Sequence, residues 1–138
     1  MPYALRDHTA DVAVEATGPT LGAVFAAVAE GMTAAMADEI PETGERFSVS
    51  VGVSGEGREA LLFDYLDRLI YERDVREVLP VDHEATVQGE GEEWTVEASA
   101  RGVPLSDVIA RDLKAVTYSE MELSQRDGEW HAYVVFDV

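Results

Sequence analysis

The sequence predicts an α+β fold, and three observations predict it. Two segments carry apolar residues at spacings of three and four. Most of the remaining chain alternates apolar and polar residues, the period of a half-buried strand. The later runs are joined by short Gly-containing turns that suit hairpins. The architecture expected is a single domain over residues 1–138, with two amphipathic helices packed on one face of a mainly antiparallel sheet.

Residues 12–17 read as the first strand, with Val12, Val14 and Ala16 on one face and Ala13, Glu15 and Thr17 on the other. Gly18-Pro19 ends it, and Thr20 is placed to cap the following helix. Leu21, Val24, Phe25, Val28, Met32 and Met36 then form an apolar stripe to about Ala37. Residues 47–54 alternate again, with Phe47, Val49, Val51 and Val53 against Ser48, Ser50, Gly52 and Ser54. A second helix runs from about Arg58 to Tyr71 and buries Leu61, Leu62, Tyr65, Leu66, Leu69 and Ile70. Strands near 81–88 and 93–100 flank the turn Gly89-Glu90-Gly91-Glu92. After Pro104, residues 105–112 read either as one helical turn or as an irregular loop. Strands over 114–123 and 129–137, joined at Gln125-Arg126-Asp127-Gly128, complete the order βαβαββββ.

Composition narrows the function. The chain has no cysteine, which removes disulfides, thiolate metal sites and a cysteine nucleophile. The N-terminus lacks a basic flank leading into an apolar run, and no stretch approaches the length of a membrane span. Both point to a soluble cytoplasmic protein. Twenty-eight acidic residues against ten basic ones give a net charge of −18, and Lys114 is the only lysine. Such a coat repels itself at low salt, so it reads as adaptation to a salty, halophilic cytoplasm. It reads otherwise as a surface that binds cations or mimics nucleic acid. Direct nucleic-acid binding is disfavoured, because no basic stripe is present to neutralise phosphates.

Four constellations carry possible chemistry. His8-Thr9-Ala10-Asp11 precedes the first strand and serves equally as a polar turn or cap. In the last strand Trp130, Ala132, Val134 and Phe136 share the core face, which leaves Asp137 pointing away from it beside Val138. Were Asp11 close by, carboxylates would crowd one point and recruit a cation, and sulfur-free oxygen donors favour Ca²⁺ or Mg²⁺. Lys114-Ala115-Val116-Thr117-Tyr118 reads as a half-buried strand with an exposed lysine. Ser106, Ser119, His83 and His131 lack a nucleophile-elbow or triad context. The Gly-rich runs lack the lysine and hydroxyl residue of a phosphate loop and read as turns.

Taken in order, four segments resemble the archease family across essentially the whole chain. They are His8-Thr9-Ala10-Asp11-Val12, Leu62-Phe63-Asp64-Tyr65-Leu66, Lys114-Ala115-Val116-Thr117-Tyr118 and Phe136-Asp137-Val138. The resemblance implies an α+β protein binding a divalent cation, calcium first with magnesium or manganese as alternatives, through Asp11, Asp137 and Val138. Asp38 is a weaker candidate for the same acidic cluster. The resemblance further implies an accessory protein with no catalytic residue of its own. Its partner would be the GTP-dependent tRNA-splicing RNA ligase of the RtcB type, whose guanylylation and multiple turnover it promotes. The alternatives are an acidic cation-binding chaperone or interaction module not dedicated to RNA ligation, and a two-aspartate metallohydrolase, for which no general base is visible. Two positions depart from the family: Gly102-Val103-Pro104 where Gly-Glu is common, and Ser119 where many relatives have histidine.

Overall fold

The computed structural model describes residues 2–8 and 11–138, with side chains described for 2–5 and 11–138. Seven strands and two α-helices follow in the order β1 (Tyr3–His8), β2 (Asp11–Gly18), α1 (Leu21–Met36), β3 (Glu45–Ser54), α2 (Gly57–Arg76), β4 (Val78–Glu90), β5 (Glu93–Pro104), β6 (Ala115–Arg126) and β7 (Glu129–Asp137). A 3-10 turn, Leu105–Asp107, leads into an extended strap over residues 108–114. The α+β class stands. All pairing is antiparallel, but the strands divide into two sheets, ordered β1-β2-β7-β6 and β3-β5-β4.

The helices sit between these sheets. α1 packs on β1, β2 and β7 of the first sheet and on β4 of the second, while α2 packs on β6 of the first and β3, β4 and β5 of the second. Alternation marks which residues of a strand face inward, but it carries no information about partners. Burial on both sides explains why α1 is so apolar: Val24, Phe25, Val28, Met32 and Met36 are all within 1% of fully buried. Two glycines permit the close approach. A Cβ at Gly22 would lie 2.4 Å from the Ala85 carbonyl oxygen on β4, and one at Gly31 would lie 2.5 Å from Val14 on β2. Thr20 caps α1 as expected, its Oγ1 accepting from the Ala23 amide at 3.0 Å.

α2 extends five residues past its last expected position, to Arg76. Its final turns hold no apolar stripe, but Glu72 accepts from Arg68 at 3.5 Å and from Arg76 at 2.9 Å, both at i,i±4 spacing. Glu77, at φ 55, ends the helix in the left-handed region. Leu61, Leu62, Tyr65, Leu66 and Leu69 are almost completely buried, each of the leucines worth about 1.5–3 kcal/mol on transfer from water.

The hairpins follow their turn residues. Asp127 and Gly128 take φ 51 and 79, the pair of left-handed conformations that a two-residue hairpin turn requires. The other turn is shorter than expected, since only Gly91 and Glu92 lie outside β4 and β5. Two irregularities leave no trace in the alternation: β4 slips register between Val81 and Glu84, and β6 between Thr117 and Glu122. Each contains a left-handed acidic residue, Asp82 at φ 51 and Glu120 at φ 56.

Candidate functional site

The first sheet gathers the two ends of the chain. β2 begins at Asp11 and β7 ends at Asp137, and antiparallel register sets these residues directly opposite one another. Directly opposed side chains share one face of a sheet, with Cβ atoms about 4.5–5.5 Å apart. On its other side Asp137 pairs with Ala115, and its carbonyl accepts from the Lys114 amide at 2.8 Å. Asp137 is thus held by a strand on each flank while its side chain stays exposed; Val138, next to it, is 43% exposed. Asp11 is half-buried. His8 pairs with Asp11 at the end of β1, so the first polar motif spans the β1–β2 connection; Thr9 and Ala10 lie outside the described residues.

The donor set suits a hard cation: carboxylate oxygens on neighbouring paired strands, with no cysteine in the chain. Among the described residues, no three Asp, Glu or His side chains form a group able to enclose a metal ion by themselves. Asp38 is engaged elsewhere. Arg111 reaches it bidentately, Nη2 to Oδ1 at 3.0 Å and Nη1 to Oδ2 at 3.2 Å, and this pairing holds the Asp38 carboxyl below the usual carboxylate range.

Arg111 does more than neutralise Asp38. Its guanidinium also donates to the Ala34 and Ala35 carbonyls at 3.2 and 2.9 Å, and its amide donates to the Met36 carbonyl at 2.6 Å. A cation on these open carbonyls suits the negative end of the α1 dipole. Arg73 pins the same strap from α2, donating to the Leu113 carbonyl at 2.6 Å. The strap therefore ties the C-terminal end of α1 to the segment that begins β6 beside Asp137. Sequence reading missed both arginines; the only signal was the near-exclusive use of arginine as the base.

Among the described residues, the hydroxyl and histidine inventory does not assemble a catalytic group. Thr33 Oγ1 lies 2.9 Å from His83 Nε2, but both residues are buried, at 5% and 8% exposure. The Thr33 hydroxyl also lies 2.7 Å from the Pro80 carbonyl, and the His83 amide donates to Glu30 at 2.6 Å. Burial pushes the imidazole down to about 4. This is a buried polar clasp between α1 and the β4 bulge. Ser119 is exposed on the β6 bulge, and Lys114 is exposed at the end of the strap. No described helix is long and apolar enough to cross a membrane.

Residues 3–138 match the family described as the Archease protein family (MTH1598/TM1083). The chain is 33% identical to a protein archease of Methanosarcina mazei over 140 aligned residues, covering 99% of this chain and 95% of that protein. It is 26% identical to a protein archease of Pyrococcus furiosus, covering 96% and 95%. Among solved structures, protein 1598 of Methanobacterium thermoautotrophicum superposes with a TM-score of 0.85 at 28% identity over 99% of both chains. A Thermotoga maritima protein described as an archease and possible chaperone superposes at 0.59, with 20% identity over 96% and 94%, a likeness of fold.

Proposed function

The chain belongs to the archease family, and we propose that it is a non-catalytic activator of the GTP-dependent tRNA-splicing RNA ligase of the RtcB type. The observation that carries this reading is the Asp11–Asp137 register pair, because it gathers in one place the acids on which the family resemblance depends. Asp11 and Asp137 would hold a divalent cation, calcium first, with Val138 supplying a main-chain oxygen. Such an ion, when bound, supplies positive charge and open coordination positions to whatever oxygen donors the partner presents. The chain's own contribution is positional. Pairing on both flanks of β7 fixes the Asp137 backbone while its side chain stays exposed, so only that side chain remains to be ordered when a partner docks. The strong negative charge speaks against direct RNA contact and for action through a protein.

The test is transfer of radiolabelled GTP onto the cognate ligase with and without this chain. The proposal expects faster guanylylation and more than one turnover when the chain is present, and loss of both with Asp11→Asn or Asp137→Asn. Indifference of the ligase to the wild-type chain sinks it. A second reading, an acidic chaperone with other clients, is favoured by the description of the Thermotoga relative. It predicts suppressed aggregation of unrelated unfolded proteins with no effect on guanylylation.

A further inference from the structure

Two motifs that the sequence singled out separately meet in space. Phe63 on α2 and Tyr118 on β6 stack with ring centroids 4.1 Å apart and planes 5° apart. The β6 bulge accompanies this contact: the strand leaves register with β7 after Thr117, as an outer strand of its sheet. Phe63 covers one face of the Tyr118 ring, yet Tyr118 remains 54% exposed, so its other face and rim meet solvent.

Two carboxylates, Asp64 and Glu56, act on this ring, and a third, Asp67, acts on Asp64. Asp64 adjoins Phe63, Asp67 follows one helical turn later, and Glu56 stands at the head of the same helix. Partial burial raises the Asp64 carboxyl above its ordinary range, and Glu56 and Asp67 raise it further. Burial, then Asp64 and Glu56, raise the Tyr118 hydroxyl. Elsewhere arginines are spent on acids: Arg68 and Arg76 on Glu72, Arg111 on Asp38, Arg126 on Glu122. Among the described residues none forms an ion pair with Glu56, Asp64 or Asp67.

We propose that the Phe63–Tyr118 stack, with Asp64 and Asp67 beside it, is a docking point for an arginine side chain of a partner protein. An exposed π face attracts a cation, and a planar guanidinium stacks on it where a compact ammonium does not. The adjacent carboxylates accept the guanidinium hydrogen bonds. The net charge of −18 adds long-range attraction for a basic partner surface. This patch is separate from the Asp11–Asp137 pair, and its test reads binding alone, so it does not rest on the activator reading.

The experiment is a chemical-shift titration of the full chain with a capped Gly-Arg-Gly peptide and with its Gly-Lys-Gly counterpart. A salt concentration of about 0.5 M suppresses diffuse attraction. Shifts are expected to concentrate at Phe63, Asp64, Asp67 and Tyr118, with the lysine peptide binding about threefold more weakly or worse. Tyr118→Leu, which keeps an apolar cover on Phe63, and Asp64→Asn should each weaken the arginine peptide about fivefold. Shifts spread evenly over the acidic surface, equal affinity for the two peptides, or unchanged binding in Asp64→Asn would overturn the proposal. The last arm decides even if Tyr118→Leu disturbs the fold.

Discussion

Asp11 and Asp137 stand directly opposite one another on adjacent antiparallel strands, one at the start of β2 and the other at the end of β7. Directly opposed side chains share one face of a sheet, so register alone sets the two carboxylates side by side. Backbone pairing along the whole β2–β7 ladder keeps them there, from Asp11–Asp137 to Gly18–Trp130.

A different pair of contacts joins the two sheets at the head of α2. The Arg58 guanidinium lies 5.7 Å from the Trp94 ring centre on β5 and 5.0 Å from that of Trp130 on β7. Each contact is worth about 0.5–1 kcal/mol at a partly exposed site. Arg58→Ala should therefore lower stability by roughly 1–2 kcal/mol and shift the tryptophan emission, while Arg58→Lys should recover only part of the loss. Denaturant unfolding followed by fluorescence checks this. A midpoint unchanged in Arg58→Ala would remove the clamp from the account.

Stability should fall in mild acid through His83. Burial disfavours the charged ring and pushes its pKa in the folded chain from the ordinary 6.5 down to about 4. The unfolded chain therefore binds the proton first as pH falls. Stability is lost between about 6.5 and about 4, by up to roughly 3 kcal/mol, and this group contributes no further change below that window. Glu30 acts in the opposite sense, since burial raises its folded pKa and the native state binds that proton first. Comparing the pH dependence of unfolding for wild type and His83→Gln isolates the histidine. Parallel curves would contradict the assignment.

Salt should stabilise the fold. At about 0.1 M the Debye length is ~10 Å and the net charge of −18 is weakly screened; at about 1 M it is ~3 Å. The exposed arginine–carboxylate pairs are too weak individually to offset that self-repulsion. The thermal midpoint should therefore rise steadily with potassium chloride. A midpoint that stays flat would mean that the acidic coat does not govern stability.

Much of this fold was legible because single elements obey local rules. Thr20 caps α1, the 47–54 alternation becomes β3, and Asp127-Gly128 closes β6 on β7. β1 was missed because Tyr3-Ala4-Leu5-Arg6-Asp7 has too few apolar residues to show alternation, and its pairing with β2 supplies the order that its own pattern lacks. The division into two sheets was hidden for a related reason: alternation gives facing, not partners. The bulges at Asp82 and Glu120 cannot be read from residue type, since Asp takes positive φ in ordinary turns as well, as Asp127 does, and Glu marks no bulge. The acidic pair was legible only as two separate ends. Register is what makes them neighbours, and it is a property of the assembled sheet.

Calcium titration by calorimetry, on the wild-type chain and on Asp137→Asn, tests the central claim most directly. The substituted side chain is exposed and β7 is held by its backbone, so the fold should survive the change. The account predicts saturable binding of one calcium ion to the wild type, and a thermal midpoint that rises with calcium as ligand linkage requires. It also predicts loss of both in Asp137→Asn. Equal calcium binding by the two proteins would contradict the claim that Asp11 and Asp137 form the cation site.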